Sequence, residues 1–234
     1  MTATAGFVRE ARPSDAPSLA RVQVASWQAT LGGLVPAEVL AELSTEAAIS
    51  QFEEQWHASV ASPPTTRHRV LVAYLSPGPQ SPLSSGPGSG SEAAPAAGPA
   101  SGSGSGAGSD SGTGSGAGSD SGAGSGSVVG FASIGPATDE DRWPGSDGEM
   151  YEFHLLPSHA DGGHGGRLLH AVADTLSSDS FTTACAWVLA ADHGRLEFLK
   201  AAGWALDGSQ GNLDMGVKVP VVRLHTLLAE PTAP

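Results

Sequence analysis

The residues best suited to chemistry fall between Glu149 and Leu176, where Glu149, Glu152 and His154 are followed by Leu155-Leu156-Pro157, a glycine-rich stretch and an amphipathic segment. The stretch contains Gly162, Gly163, His164, Gly165, Gly166 and Arg167. An apolar strand that runs through glycines into a helix has the layout of a phosphate-binding loop. Glycine lets the backbone turn sharply and approach a ligand, while the first helical turn offers unpaired N–H groups and the positive end of the helix dipole. Carboxylates on the preceding strand suit proton transfer. Strand alternation puts Glu149 with Tyr151 on one face and Glu152 with His154 on the other.

Residue types exclude two common phosphate loops. A Walker loop needs Lys and then Ser or Thr after its last glycine, whereas Gly166 is followed by Arg167 and Leu168. A dinucleotide fingerprint beginning at Gly163 needs glycine where Leu168 stands, and no acidic residue follows at the ribose-binding distance. The spacing of His154, His159, His164 and His170 matches neither zinc-type pairing nor one helical face, so no metal site is expected. Cys185, the only cysteine, lies between alanines in an apolar run and reads as core.

Leu155-Leu156-Pro157, then Gly163-His164-Gly165-Gly166-Arg167-Leu168-Leu169, resembles the acetyl-CoA loop of the GNAT superfamily of N-acetyltransferases. Three further stretches extend the likeness. Phe7 to Asp15 is like the family's opening strand and helix cap, and Trp27 to Pro36 is similar to the segment that borders the acceptor site. Phe198-Leu199-Lys200-Ala201-Ala202-Gly203-Trp204 is like the closing helix and glycine. The resemblance implies an N-acetyltransferase that moves acetyl from acetyl-CoA to a primary amine by direct attack. Leu155, Leu156, Gly162, Gly163, His164, Gly165, Gly166 and Arg167 would then hold the co-substrate. The amide of Leu155 or Leu156 would stabilise the thioester oxygen. A Glu eight positions before Pro157 makes Glu149 the leading base, with Glu152 the other candidate. Two departures stand out. Ala160, Asp161 and Gly162 replace the side chains that often assist phosphate binding, and Leu199 occupies the usual place of the Tyr that protonates the CoA thiolate. The second departure keeps open a non-catalytic acyl-CoA-binding or regulatory module.

The positioning elements follow from period and composition. Ala20, Val24, Trp27 and Leu31 predict a helix over 16–31 with Ser14 or Asp15 at its cap, and a second spans about 37–59. Leu168, Leu169, Val172 and Leu176 mark a third, and Gly203 ends a fourth. Strands are expected at 69–75, 128–134, 149–156 and 182–190, with a closing pair near 204–206 and 217–228. The expected fold is α+β and GNAT-like, a mixed central sheet flanked by about four helices. It forms one domain over residues 1–234. Residues 76–127 are almost all Gly, Ser, Ala and Pro and read as a disordered insert between the second and third strands, with a coil span on the order of 40 Å.

A net charge of −13 and a pI near 4.8 exclude a nucleic-acid surface and suit a small-molecule or protein amine. Asp139, Glu140, Asp141, Asp147 and Glu149 crowd one region and would attract such an acceptor. The first six residues do not form a signal peptide and no run reaches membrane-spanning length, so a cytoplasmic protein without a membrane partner is expected. A homodimer is left open.

Overall fold

The computed structural model describes residues 6–75 and 127–228. Its sheet has seven strands in the order β1-β2-β3-β4-β5-β7-β6. They are β1 (Gly6–Glu10), β2 (Arg69–Leu75), β3 (Ser127–Pro136), β4 (Asp147–Leu155), β5 (Thr183–Leu189), β6 (Ala205–Asp214) and β7 (Lys218–Leu227). Only β4 and β5 run parallel. The helices are α1 (Ala16–Thr30), α2 (Ala37–Leu43), α3 (Glu46–Ala61), α4 (His164–Ser178) and α5 (His193–Ala201).

The continuous apolar run Val70-Leu71-Val72-Ala73 is explained by helices on both faces of the sheet. Leu71 and Ala73 join Leu168, Val172 and Leu176 of α4 in one core. Val70 and Val72 meet Leu19 and Ala20 of α1 and Trp56 of α3 in a second. Strand alternation thus sends successive residues into opposite layers. Leu168, Val172 and Leu176 are fully enclosed, and burial of each such side chain contributes about 1.5–3 kcal/mol. Val129 and Phe131 extend the two layers through β3.

Two elements of the fold differ from the expectation. Five helices rather than four flank the sheet among the described residues, because the helix expected over 37–59 is interrupted. Ser44 bonds back to the Leu40 carbonyl and accepts from Gln28 of α1, while the Thr45 hydroxyl caps α3 by accepting from the Ala48 amide. Side-chain oxygens thus replace helix bonds at the break. Ser127, placed in the insert by composition, opens β3 opposite Leu75. The rest of that tract, 76–126, lies outside the described residues.

Candidate active site

The site begins where the parallel pair ends. β4 and β5 face each other only at Asp147–Thr183, Gly148–Ala184 and Glu149–Cys185. Beyond Glu149 the strands separate, and a cavity of about 670 Å³ opens between them. Its walls are β4 from Glu149 to His154, β5 from Ala186 to Leu189, Trp27 and Leu31 of the α1 end, Arg195 of α5, and Gly211 to Met215 at the end of β6.

Leaving the pair exposes backbone polarity to this cavity. The Leu156 amide donates to the Val129 carbonyl at 2.9 Å, which fixes the hydrogen-bonded register with β3. Alternation in an antiparallel ladder then turns the amides of Leu155 and Phe153 away from β3 and towards the open side. Leu156 is therefore spent on the sheet. Opposite Ser133 and Ile134 the register slips, so that Tyr151 is an extra residue on β4. This bulge explains why residues from both expected faces, Glu149 and Tyr151 as well as Glu152 and His154, line one cavity.

The two carboxylates differ in environment. Glu149 is 6% exposed, and its Oε2 accepts from the Thr138 amide and hydroxyl, each at 2.8 Å. Burial raises its pKa, with the Thr138 bonds opposing. Glu152 is more open and is held by Nε2 of His154. The His154 ring is clamped between Trp27 and Phe131, and its buried Nδ1 has no partner among the described residues. A proton on Nδ1 would be a stranded donor, whereas an Nε2–H directed at Glu152 is matched by an acceptor. Tyr151 donates its hydroxyl to the Pro136 carbonyl, and burial followed by the Glu149 charge raises its pKa.

The glycine stretch closes the far end of β4. Residues Pro157–Gly162 form a 3-10 turn, and Gly163, at φ +68°, starts α4 in a conformation that suits glycine. A Cβ on Gly165 would lie 2.9 Å from Leu155 Cδ1, so the first turn of α4 packs directly against the strand end. Gly166 faces open space. His164 is buried under β1 at Gly6, and Arg167 bonds the Gly162 carbonyl and His164 Nδ1. The loop therefore offers main-chain donors, while its one arginine is engaged in holding the turn. Glu149 and Glu152 line the cavity, whereas Leu155, Leu156 and the segment Gly162 to Arg167 lie at or beyond the end of β4.

The acidic loop is not a free attractor. Asp139 and Asp141 accept from Arg223, whose side chain is only 4% exposed and which also bonds Asp207. Asp139 additionally accepts from Trp187 Nε1 at 3.0 Å, and Asp147 accepts from the Trp143 amide. Burial alone would raise the Asp207 carboxyl, but the Ser209 amide and Arg223 hold it down to about 2. These charges tie the β3–β4 loop to β5, β6 and β7. Of the expected acidic group, only Glu149 lines the cavity. Leu199 is wholly buried in the sheet–α4 core and cannot reach a ligand. The sequence reading passed over Arg195 and the β6 end. The Asp192 cap could have pointed to Arg195, because it places the residue in the first turn of α5.

No protein-family model matches the chain. A curated relative, the uncharacterized N-acetyltransferase YuaI of Bacillus subtilis, is 26% identical over 182 residues, which is 78% of this chain and 70% of the relative. PaiA N-acetyltransferase from Thermoplasma acidophilum, solved with coenzyme A, superposes with a TM-score of 0.53 at 13% identity, covering 94% of this chain and 98% of that one. This protein has the fold of the GNAT acetyltransferases. The structure of yncA from Salmonella typhimurium with acetyl-CoA gives a TM-score of 0.52 at 14% identity, covering 98% of each chain. The GNAT-like fold expected from the sequence is borne out, and of these two solved proteins the first holds coenzyme A and the second acetyl-CoA. Among the described residues of this GNAT-fold chain, no helix is long and apolar enough to cross a membrane.

Proposed function

We propose that this GNAT-fold protein transfers acetyl from acetyl-CoA to a primary amine by direct attack. The observation that carries the reading is the separation of β4 from β5 beyond Glu149–Cys185, which opens a cavity beside a strand whose end abuts the glycine-started helix α4. The amides at the α4 N-terminus suit the CoA pyrophosphate, and open space at Gly166 leaves room for it. The Leu155 amide, turned towards the open side of β4, suits the thioester oxygen as that oxygen gains charge.

Glu149 is the base in this reading. Its raised pKa and its anchored Oε2 suit a carboxylate that takes one proton from the acceptor ammonium. The neutral amine then attacks the carbonyl carbon and the C–S bond breaks. The thiolate takes the second nitrogen proton as the amide forms, and Glu149 returns its own proton to solvent. Glu152, oriented by His154, holds the incoming ammonium. No tyrosine acid is needed at position 199, because a thiol of ordinary pKa, about 8.5, is a competent leaving group once the amine proton is available. The test is CoA release with an amine panel, comparing wild type with Glu149→Gln and Glu152→Gln. Full turnover in Glu149→Gln would remove that residue from the role.

A further inference from the structure

Arg195 is the only Lys or Arg among the described residues that line the cavity, alongside Glu149, Glu152 and Asp214. Its setting is specific. The Asp192 carboxylate accepts from the Arg195 amide through Oδ1 at 3.0 Å and pairs with its Nε through Oδ2 at 3.2 Å. Both oxygens of Asp192 are therefore engaged, and the Nε edge of the guanidinium is fixed. The two terminal nitrogens have no protein acceptor among the described residues, although the side chain is only 23% exposed. Burial lowers the Arg195 pKa and the charges of Asp192 and Glu152 oppose it, but an arginine keeps its charge in such a site.

A held guanidinium with a vacant two-pronged end is the geometry that takes a carboxylate through paired hydrogen bonds. We infer that Arg195 anchors a carboxylate carried by the amine acceptor, so that the substrate class is a free amino acid with an apolar side chain. This rests on the acetyltransfer reading above. The ammonium goes to the Glu149–Glu152 side and the carboxylate to Arg195. Trp27, Leu31, Leu213 and Met215 offer an apolar wall to the side chain. A lysine side chain within a protein, or a protein N-terminus, supplies no neighbouring carboxylate and leaves the vacant end unmatched.

The experiment pairs each amino acid with its decarboxylated amine, phenylalanine with 2-phenylethylamine and leucine with 3-methylbutylamine, as acceptors and as ligands in thermal shift with CoA present. Wild type is expected to favour the amino acid in kcat/KM and in shift. Arg195→Gln should lower kcat/KM for the amino acid by about 10- to 150-fold, the worth of a charged hydrogen-bonded contact, while the amine and the KM for acetyl-CoA change little. Equal or better use of the amines by wild type overturns the inference, as does a raised acetyl-CoA KM in Arg195→Gln, which would assign the guanidinium to the co-substrate. If acetyl-CoA itself gives no shift, the acetyltransfer reading fails. The anchor is then judged on wild type alone, and a shift with phenylalanine no larger than with 2-phenylethylamine overturns it.

Discussion

Glu149 and Cys185 are the last facing pair of the parallel strands β4 and β5, and the cavity starts at that pair. One side chain of the pair is therefore a carboxylate at the cavity wall and the other a thiol sealed in the core. Cys185 is 1% exposed, and burial together with the Glu149 charge pushes its pKa up to about 12. A thiol so enclosed, with its thiolate disfavoured, suits packing and not nucleophilic attack.

Glu149 carries a stability cost with a definite sign. Burial raises its pKa, so the folded state holds the proton more tightly than the unfolded chain does. Stability from this group is fully present below the ordinary Glu pKa and is lost as pH rises through the raised one. Glu149→Gln keeps an acceptor for Thr138 and removes the ionisation. Its melting temperature at neutral pH should equal or exceed that of wild type, with the advantage shrinking towards about pH 4. A variant that is less stable at neutral pH by the same margin as at acid pH would contradict this.

The co-substrate loop can be tested without disturbing the fold. A Cβ at Gly166 meets nothing within 4 Å, and its φ is not positive. Gly166→Leu should therefore fold, gaining about 0.4–1 kcal/mol from reduced freedom of the unfolded chain. It should also lose the rise in melting temperature that acetyl-CoA gives wild type. A retained shift in a folded variant would place the CoA elsewhere.

Much of this was legible from local pattern. The Val70 to Ala73 run, the spacing of Leu168, Leu169, Val172 and Leu176, and the glycines before them each carry their structural meaning within a few residues. What escaped reading depends on long-range partners. Arg223 meets Asp139 and Asp141 across 84 and 82 positions, so the acidic loop looked free when only its own residues were considered. The bulge at Tyr151 arises from register with β3, and no residue type in β4 announces it. The Ser44-Thr45 break was readable as a cap, but the apolar spacing on both sides masked it.

Leu199 gives a test of whether the missing tyrosine is a simple loss. The residue is 0% exposed and packed in the core with Leu168, Leu196 and Trp204. Leu199→Tyr adds volume and a hydroxyl where neither has room, which should destabilise by about 1–3 kcal/mol. It should not raise kcat. A faster variant of unchanged stability would mean that the position opens onto the cavity and that proton donation limits turnover of the native protein.

The tract 76–126 can be removed on geometric grounds. Leu75 at the end of β2 faces Ser127 at the start of β3, and the antiparallel register continues from that pair to Arg69–Ile134 with one irregularity. The strand ends are already at hairpin distance, so a short turn such as Asn-Gly with flanking residues can join them. Because the closure cost of a flexible loop grows only logarithmically with length, shortening it should stabilise the fold slightly. The shortened protein should keep its acetyl-CoA shift and its turnover, and its denaturation midpoint should equal or exceed that of the full chain. A lost acetyl-CoA shift or a clearly lower midpoint would show that residues within 76–126 contribute to the site or the core.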